Sequence, residues 1–317
     1  MEIGLFEEWM RPQVSKMFSE QYGIREETFS ILMKNFYEHP FQKDKCIRII
    51  AKEGETITGF QSFFYWPYEL DGRTFKSYQS GNSLVHPAYR GKGLFQKMLD
   101  YIDNHRVDLG VDFLIGFPIE ASKNGLLRNK WKNILNLKWH VKIINPLAFF
   151  RAIHIQKLQD TFNTKGSLLN EQTVSIRLTK DQRFTKWREN YSENNKYFHF
   201  LHEKGTNTAY FILKISKRNA FINELIIGDM QLNSTNTDFI KEAFRELTAK
   251  VRSIPFITLL TIAINEANAH DLLPVLSDLG FLRINKSIFF MVKSFKDEPQ
   301  IYDPKLWTLY RSDIDTW

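Results

Sequence analysis

A glycine-bearing loop that joins a strand to a helix constrains the fold of this chain more than any other feature. The strand ends at Val85, and the loop that follows carries Gly91 and Gly93 on either side of Lys92. The first N–H groups of a helix have no partner inside it, and glycine allows a ligand to approach the backbone closely. The segment therefore predicts a cradle for a diphosphate. An amphipathic helix follows at once, with its apolar residues at Leu94, Phe95, Met98, Leu99 and Ile102.

Two common phosphate-binding loops do not fit this segment. A Walker loop ends in Gly-Lys followed by Ser or Thr, whereas Gly93 is followed by Leu94. A dinucleotide fingerprint needs a third glycine, and Gln96 stands in its place. A coenzyme A loop and a plain glycine turn that caps a core helix both stay open on these residues alone.

The flanking pattern predicts helices, then an antiparallel meander, then a strand–helix–strand unit. Gly23 separates two stretches of helical spacing, and Asp71-Gly72 has the chemistry of a tight hairpin turn. The predicted elements are helices within Pro12–Tyr37, strands at Ile47–Ala51, Ile57–Tyr65 and Phe75–Val85, the helix from Leu94, a strand at Val111–Phe117, a helix at Ser122–Trp131 and a strand at Trp139–Ile144.

The loop resembles motif A of the GNAT acetyltransferase superfamily, whose pattern is Gln/Arg-x-x-Gly-x-Gly/Ala. Arg90 fills the first position and Gly93 the fourth, whereas Phe95 stands where the family prefers a small residue. The match extends over about Leu5 to Ile144. The resemblance implies an α/β fold, α+β by some schemes. It consists of a mixed, mostly antiparallel twisted sheet flanked by helices, with one splayed strand pair.

The resemblance also implies acetyl-CoA as the cofactor and an N-acetyltransferase activity. The backbone of Leu84 and Val85 would pair with the pantetheine amides, and the backbone near Leu84 would polarise the thioester carbonyl. The cofactor-binding loop is implied to comprise Arg90, Gly91, Lys92, Gly93, Leu94 and Phe95. An amine would attack the thioester directly, without a covalent enzyme intermediate.

A polar run precedes the loop and is a candidate for acceptor binding. Tyr78, Gln79 and Ser80 begin a segment that is polar on both faces, although a central strand buried on both sides should be apolar. We interpret these three residues as one wall of an acceptor site. A strand that begins at a wet sheet edge is the alternative.

The catalytic acid and base are less clearly marked. The family often supplies a tyrosine on the helix after the Val111–Phe117 strand, and Leu126 occupies that place here. Glu120 is a candidate base, directly or through water, and equally a solvated loop carboxylate. Asn82 is the second catalytic candidate. The missing tyrosine implies another donor, a water-mediated step or no catalysis.

The second half repeats the strand–helix–strand order without the loop motif. Between Ile227 and Phe239 there is no Arg-x-x-Gly-x-Gly, so one cofactor site is expected, in the first half. We predict tandem GNAT folds, with domains at 1–165 and 166–296 and a tail at 297–317. The segments Phe184–Arg188 and Trp307–Asp315 are similar to tandem acetyltransferases found with bacterial surface-polysaccharide genes.

Composition and charge limit the classes of protein to which this chain can belong. The 43 Lys and Arg exceed the 36 Asp and Glu by a formal +7, spread too evenly to indicate nucleic acid. Cys46 is the single cysteine, so no intramolecular disulfide forms. No signal peptide or membrane span is expected, and the prediction is a cytoplasmic protein. His199 and His202 show no carboxylate partners in the sequence, so no metal site is predicted.

The sequence therefore predicts an acetyl-CoA-dependent N-acetyltransferase that acts on a small amine. The candidate acceptor is an amino sugar of a surface-glycan precursor, and a homodimer is a candidate assembly. Two alternatives stay open. One is a non-catalytic acyl-CoA-binding module, and the other is a relative of the peptidoglycan transferases that use aminoacyl-tRNA.

Overall fold

A computed structural model describes residues 1–162, 175–192 and 196–317. Its strands are β1 Glu2–Leu5, β2 Ile47–Glu53, β3 Thr56–Tyr65, β4 Tyr68–Leu70, β5 Arg73–Thr74, β6 Ser77–Val85, β7 Phe113–Gly116, β8 Lys132–Ile143, β9 Arg177–Leu178, β10 Tyr197–Lys204, β11 Asn207–Lys217, β12 Asn223–Leu232, β13 Leu259–Ile264 and β14 Leu282–Ser294. Its α-helices are α1 Arg11–Tyr22, α2 Glu26–Tyr37, α3 Leu94–His105, α4 Glu120–Arg128, α5 Ile155–Thr161, α6 Gln182–Asn190, α7 Thr237–Arg252 and α8 Leu272–Asp278.

The chain divides into two compact units, each built from separated segments. Unit 1 comprises Met1–Leu135, Ile176–Glu193 and Phe289–Asp303. Unit 2 comprises Asn136–Ser175, Asn194–Ile288 and Pro304–Trp317. The division by sequence into two domains at 1–165 and 166–296 and a tail at 297–317 stays a prediction.

Unit 1 is a mixed sheet covered by helices. Its strands lie in the order β1-β2-β3-β6-β7, followed by the Met291–Ser294 part of β14, and the β6–β7 pair is parallel whereas the others are antiparallel. The apolar stripe of α3 packs on this sheet through Met98, Leu99 and Ile102, all fully buried. Burial of this stripe is the main reason that α3 holds its position against the strands.

Unit 2 contains its own sheet and core. Strands β13, β12, β11 and β10 follow the Lys138–Ile143 part of β8, with β12 and β13 parallel and the remaining pairs antiparallel. Helix α7 buries Phe239, Phe244 and Leu247 on this sheet. The expected α/β fold with mostly antiparallel strands is therefore confirmed.

Local sequence signals set several element ends as predicted. Gly23 ends α1 in the left-handed region, at φ 65°. Asp71 and Gly72 both have positive φ, as a tight hairpin turn between β4 and β5 requires. Gly280 follows α8 at φ 76°. These positions needed no long-range information, because the residue type alone favours the backbone conformation.

The parallel strands β6 and β7 separate after four paired residues. Ser77–Ser80 pairs with Phe113–Gly116, and β6 then runs on to Val85 while β7 ends. The far edge of β6 is therefore free of strand partners among the described residues from Gly81 onward. This is the splayed pair that the sequence resemblance implied.

Candidate cofactor-binding site

The loop before α3 has the geometry of an anion cradle. Gly91 and Gly93 adopt φ 79° and 71°, and a Cβ at either position would meet no atom within 4 Å. Their Cα hydrogens therefore face open space, where a bulky group can approach the backbone. Gly93 is the N-cap of α3, and no side chain caps this helix end.

The amides of this loop are available to a ligand. Over the described residues, the backbone N–H groups of Gly91, Lys92 and Gly93 have no hydrogen-bond acceptor, and the first hydrogen bond into α3 is donated by Lys97 to Gly93. The N–H groups of Leu94, Phe95 and Gln96 belong to the first helical turn, which has no intrahelical acceptors. The positive end of the helix dipole adds to the attraction for a diphosphate.

Arg90 fixes the loop instead of pairing with an acid. Its Nε donates to the backbone oxygen of Val85 at 3.2 Å, and its Nη2 donates to Oε1 of Gln21 at 2.6 Å. Lys92 lies 4.5 Å from the ring centroid of Tyr89, and Tyr89 donates to Glu53. Neither Arg90 nor Lys92 forms an ion pair with a described carboxylate, so both charges remain available to an anion.

A cleft of about 750 Å³ opens at this loop. Its lining comes from the end of β6, the cradle, the start of α3, the end of α1 and one face of α4. The lining residues outside the predicted site are Gln21, Tyr22, Ser83, Tyr89, Gln96, Ile119, Ala121, Ser122, Gly125 and Arg128. The chemistry of the cleft is basic and amide-rich, as an anionic cofactor requires.

Phe95, the departure from the family pattern, is accommodated by a glycine on the neighbouring helix. A Cβ on Gly125 of α4 would lie 2.7 Å from Cε1 of the Phe95 ring. Both residues line the cleft. The small residue at the contact between α3 and α4 is therefore Gly125 on α4, whereas the family pattern places it on α3 at position 95. Gly125 stands within a helix, where glycine is unfavourable, and this was the signal available in the sequence.

A bulge shapes β6 at the point where it leaves β7. Phe60 pairs with Leu84 and Ser62 with Gly81, so Asn82 and Ser83 both lie opposite Gln61. Asn82 has φ 47°, a conformation that asparagine tolerates better than most residues. The bulge bends the strand and places Ser83, but not Asn82, in the described lining of the cleft.

Buried hydrogen bonds hold the bulge in place. Asn82 Nδ2 donates to the hydroxyl of Tyr37 at 2.8 Å, and Tyr37 donates to Ser62 Oγ at 2.8 Å. Gln61 Nε2 donates to Ser80 Oγ at 3.0 Å, and Ser83 Oγ donates to Gln61 Oε1. Burial raises the pKa of Tyr37, which keeps its hydroxyl protonated and able to donate.

The register also decides which backbone groups face the cleft. The His86 N–H donates to the backbone oxygen of Thr58 at 2.9 Å. Because hydrogen-bonded pairs alternate along antiparallel strands, the N–H and C=O of Leu84 point toward Phe60 on β3. The N–H and C=O of Val85 point away from β3, and Arg90 Nε donates to the Val85 oxygen on that side. Val85 is therefore the strand residue whose backbone can pair with an extended ligand along the free edge.

The sequence matches the Acetyltransferase (GNAT) domain family over residues 9–124. The first part of this chain is a GNAT acetyltransferase domain. The free edge of β6, its bulge and the cradle before α3 all lie within the matched residues. A comparison with the curated proteins finds no match.

Solved structures with this fold cover most of the chain. A GCN5-related N-acetyltransferase from Anabaena variabilis is 12% identical, with TM-score 0.59 over 93% of this chain and 73% of that chain. A probable N-acyltransferase from Enterococcus faecalis is 12% identical, with TM-score 0.60 over 92% and 72%. Saccharomyces cerevisiae N-myristoyltransferase, solved with bound myristoyl-CoA, is 11% identical, with TM-score 0.54 over 94% and 80%. At these identities the likeness shows the fold.

The predicted acceptor residues of the GNAT domain lie at different depths. The ring of Tyr78 is buried with the apolar core beside Tyr65, and burial raises its pKa to about 12. Gln79 is also buried, whereas Ser80 is half-buried and bonded to Gln61. Ser80 is thus the most exposed of the three, whereas Tyr78 and Gln79 are buried in the protein. Its role in acceptor binding stays a prediction.

The two catalytic candidates lie apart from the core of the cleft. Glu120 is exposed in the first turn of α4, where a carboxylate stabilises the helix dipole. Asn82 uses its amide to hold Tyr37. Leu126 is buried against Gly116, so no hydroxyl enters the cleft from that position of α4.

Unit 2 has a second splayed pair, and the C-terminal segment packs against it. Strand β12 pairs with β13 over Glu224–Ile227 and then continues to Leu232. Tyr310 forms a bridge with Ile264 on β13, and a Cβ on Gly228 would lie 1.9 Å from the Trp317 ring. Leu309, Asp313 and Trp317 are all buried. Side chains of the protein thus occupy this part of unit 2.

The expectation that His202 has no carboxylate partner was wrong. His202 Nδ1 lies 3.0 Å from Oε2 of Glu246 on α7, and Glu242 lies in the same cluster. Lys204 donates to Glu242 at 2.6 Å. These partners come from a helix some 40 residues further along the chain, so local spacing gave no sign of them. Lys204 thus already balances the charge of Glu242.

Among the described residues, no helix is both long and apolar enough to cross a membrane.

Proposed function

We propose that the GNAT domain binds acetyl-CoA in the β6–α3–α4 cleft and transfers its acetyl group to an amine. The single observation that carries the proposal is the cradle at Gly91–Phe95, with its free amides beside the free edge of β6. The family match over residues 9–124 and the fold of the structural relatives support it.

Each part of the cleft has a role in this proposal. The amides from Gly91 to Phe95 bind the diphosphate, with Lys92 adding charge. The outward backbone groups of Val85 pair with the pantetheine arm, as an added strand would. Arg90 positions the cradle against β6 through Val85 and Gln21. The bulge at Asn82 and Ser83 orients amide dipoles toward the thioester, where negative charge develops on the carbonyl oxygen.

The chemistry is a direct transfer. The amine nitrogen attacks the thioester carbon, the C–S bond breaks, and the thiolate leaves and takes from water the equivalent of the proton that the amine releases. The described lining of the cleft contains no Asp, Glu or His. Water is therefore the acceptor of the amine proton in this proposal, and Glu120 acts only if a water connects it to the nucleophile. The cleft supplies orientation and electrostatic stabilisation.

A transfer assay tests the proposal. Release of free thiol from acetyl-CoA is followed with a panel of amines that includes amino sugars, the predicted acceptor class, and peptides with a free N-terminus. We expect thiol release with at least one amine and formation of its N-acetyl product. We also expect kcat/KM to rise with pH up to the pKa of the amine. A Glu120→Gln variant should retain the rate within about twofold if water takes the proton, because no enzyme carboxylate then titrates.

One observation favours a second candidate function, acyl-CoA binding without transfer. Leu126 stands where a hydroxyl donor is expected, and Asn82 is engaged with Tyr37. A binding module needs the cradle but no acid or base. Tight binding of acetyl-CoA with no thiol release across the panel would support this second candidate over the first.

A further inference from the structure

A group of large apolar side chains is exposed at one end of unit 2. Leu147 is 87% exposed and Phe150 76%, and they stand in the turn that follows β8. Ile143, Phe149 and Phe221 are exposed by 58%, 44% and 46%. We call these five residues the apolar tip. Single exposed apolar residues are ordinary, but a cluster of this kind marks an interaction surface.

The backbone holds Phe150 in a conformation that presents its ring to solvent. Phe150 has φ 66°, which is rare for a residue with a bulky side chain. Its N–H donates to the oxygen of Phe221 at 3.3 Å, and the two rings lie 4.5 Å apart between centroids. Asn223 Nδ2 also donates to the oxygen of Arg151 at 2.8 Å, which ties the turn to β12. Backbone strain of this kind is concentrated at functional sites.

The apolar tip is surrounded by positive charge. Three segments meet there, since Asn145 donates to Ile254 and Phe150 donates to Phe221. Residues 142–157, 217–223 and 250–258 contain no Asp or Glu, in a chain with 36 acidic residues. The next acid, Glu224, is buried and paired with Arg218 at 3.2 Å. The basic residues of the three segments are Lys142, Arg151, Lys157, Lys217, Arg218, Lys250 and Arg252.

We infer that the apolar tip docks unit 2 on the surface of an anionic lipid bilayer. Aromatic and aliphatic side chains on a protruding turn insert between headgroups, and the surrounding Lys and Arg attract the negative surface. Burial, and to a lesser extent the charge of Arg252, lowers the pKa of Lys142. This inference does not depend on acetyl transfer.

Vesicle sedimentation with the full chain tests the inference. Vesicles of phosphatidylcholine alone are compared with vesicles of equal parts phosphatidylcholine and phosphatidylglycerol. We expect at least about tenfold stronger partitioning to the anionic vesicles, weakened by high salt. Phe150→Gly with Leu147→Ser should remove most of the binding. The glycine relieves the positive φ, so this variant should fold at least as well as the parent chain.

Matched variants distinguish binding through the apolar tip from binding through the overall charge or hydrophobicity of the chain. Val107→Ser removes an apolar side chain that is 79% exposed in unit 1 and should leave binding unchanged. Arg151→Gln with Lys217→Gln should weaken binding by about tenfold, whereas Lys34→Gln with Lys43→Gln on unit 1 should not. Equal sedimentation with both vesicle types would overturn the inference. Undiminished binding by the Phe150→Gly, Leu147→Ser variant would also overturn it. The same holds if the parent chain binds no lipid and the variant only loses self-association.

Discussion

The ring of Phe95 on α3 lies against Gly125 on α4, where a Cβ would stand 2.7 Å from Cε1 and 2.8 Å from Cδ1. The family pattern leads one to expect a small residue at position 95, and the chain instead provides the small residue on the facing helix. The contact closes one wall of the cofactor cleft. It also explains how a bulky residue in the loop motif is compatible with the GNAT fold.

This contact predicts a change of sign in the effect of one substitution. Gly125→Ala in the parent chain should lower the free energy of unfolding by about 1–2 kcal/mol, because overpacking outweighs the better helix propensity of alanine. In a Phe95→Leu background the ring is gone, and the same Gly125→Ala change should stabilise by about 0.5–1 kcal/mol. Urea denaturation of the four proteins measures both values. The same sign in both backgrounds would show that the ring does not limit position 125.

A second glycine contact predicts the role of the C-terminal segment in unit 2. Gly228→Ala should destabilise by about 3 kcal/mol or more, because the new methyl group would overlap the Trp317 ring. Gly4→Ala is the matched strand control, since nothing lies within 4 Å of its added Cβ. Thermal denaturation compares the two. Similar melting temperatures for both variants would mean that Trp317 does not occupy the position beside Gly228.

The hydroxyl of Tyr37 should be important for stability although it lies far from the cleft opening. Tyr37→Phe removes the acceptor of Asn82 Nδ2 and the donor to Ser62 Oγ, and of these two residues Ser62 is buried and Asn82 is half-buried. We expect a loss of about 1–3 kcal/mol in urea denaturation. Tyr22→Phe removes an exposed hydroxyl and should change stability by less than about 0.5 kcal/mol. Equal effects of the two variants would contradict the buried network.

Unit 2 should lose stability in mild acid through His199. Burial lowers the pKa of His199 below its ordinary 6.5, so the folded state resists the proton that the unfolded state takes up. The unfolded state then binds more protons as the pH falls, and stability declines below about pH 6.5. His199→Asn removes this titration and can still bond to the Tyr210 hydroxyl. The fall in melting temperature between pH 7.5 and pH 5 should be smaller in the variant. An unchanged fall would assign the acid sensitivity to other groups.

The sequence predicted the structure well at positions where the residue type itself favours the backbone conformation that is observed. Gly23 ends α1, Gly93 lies at the start of α3 and the Asp71-Gly72 pair makes a turn, because positive φ is open to glycine and is tolerated by aspartate better than by most residues. The cradle was placed for the same reason. Hydrophobic periodicity located α3, whose buried residues Leu94, Met98, Leu99 and Ile102 all belong to the predicted apolar stripe.

What the sequence did not yield depends on partners far along the chain. Asn82 in the bulge is bonded to Tyr37, 45 residues earlier. Because the sequence does not show this partner, the polar run of β6 was interpreted as one wall of an acceptor site. Trp187 packs in unit 1 and donates to the oxygen of Phe36, at a separation of 151 residues. The facing glycine of Phe95 lies on another helix. No local window contains both members of such pairs, so propensity and spacing could not reveal them.

The central claim is that the amides at the start of α3 bind the diphosphate of acetyl-CoA, and isothermal titration of acetyl-CoA tests it most directly. Gly93→Glu places a side chain and a negative charge in the cradle. Gly54→Glu is the matched control, since Gly54 also has positive φ, with open space around its added Cβ, in the β2–β3 turn. The two variants should lose similar stability. We predict that Gly54→Glu binds acetyl-CoA as the parent chain does and that Gly93→Glu binds at least about a hundredfold more weakly. Equal affinity of the two variants would contradict the account.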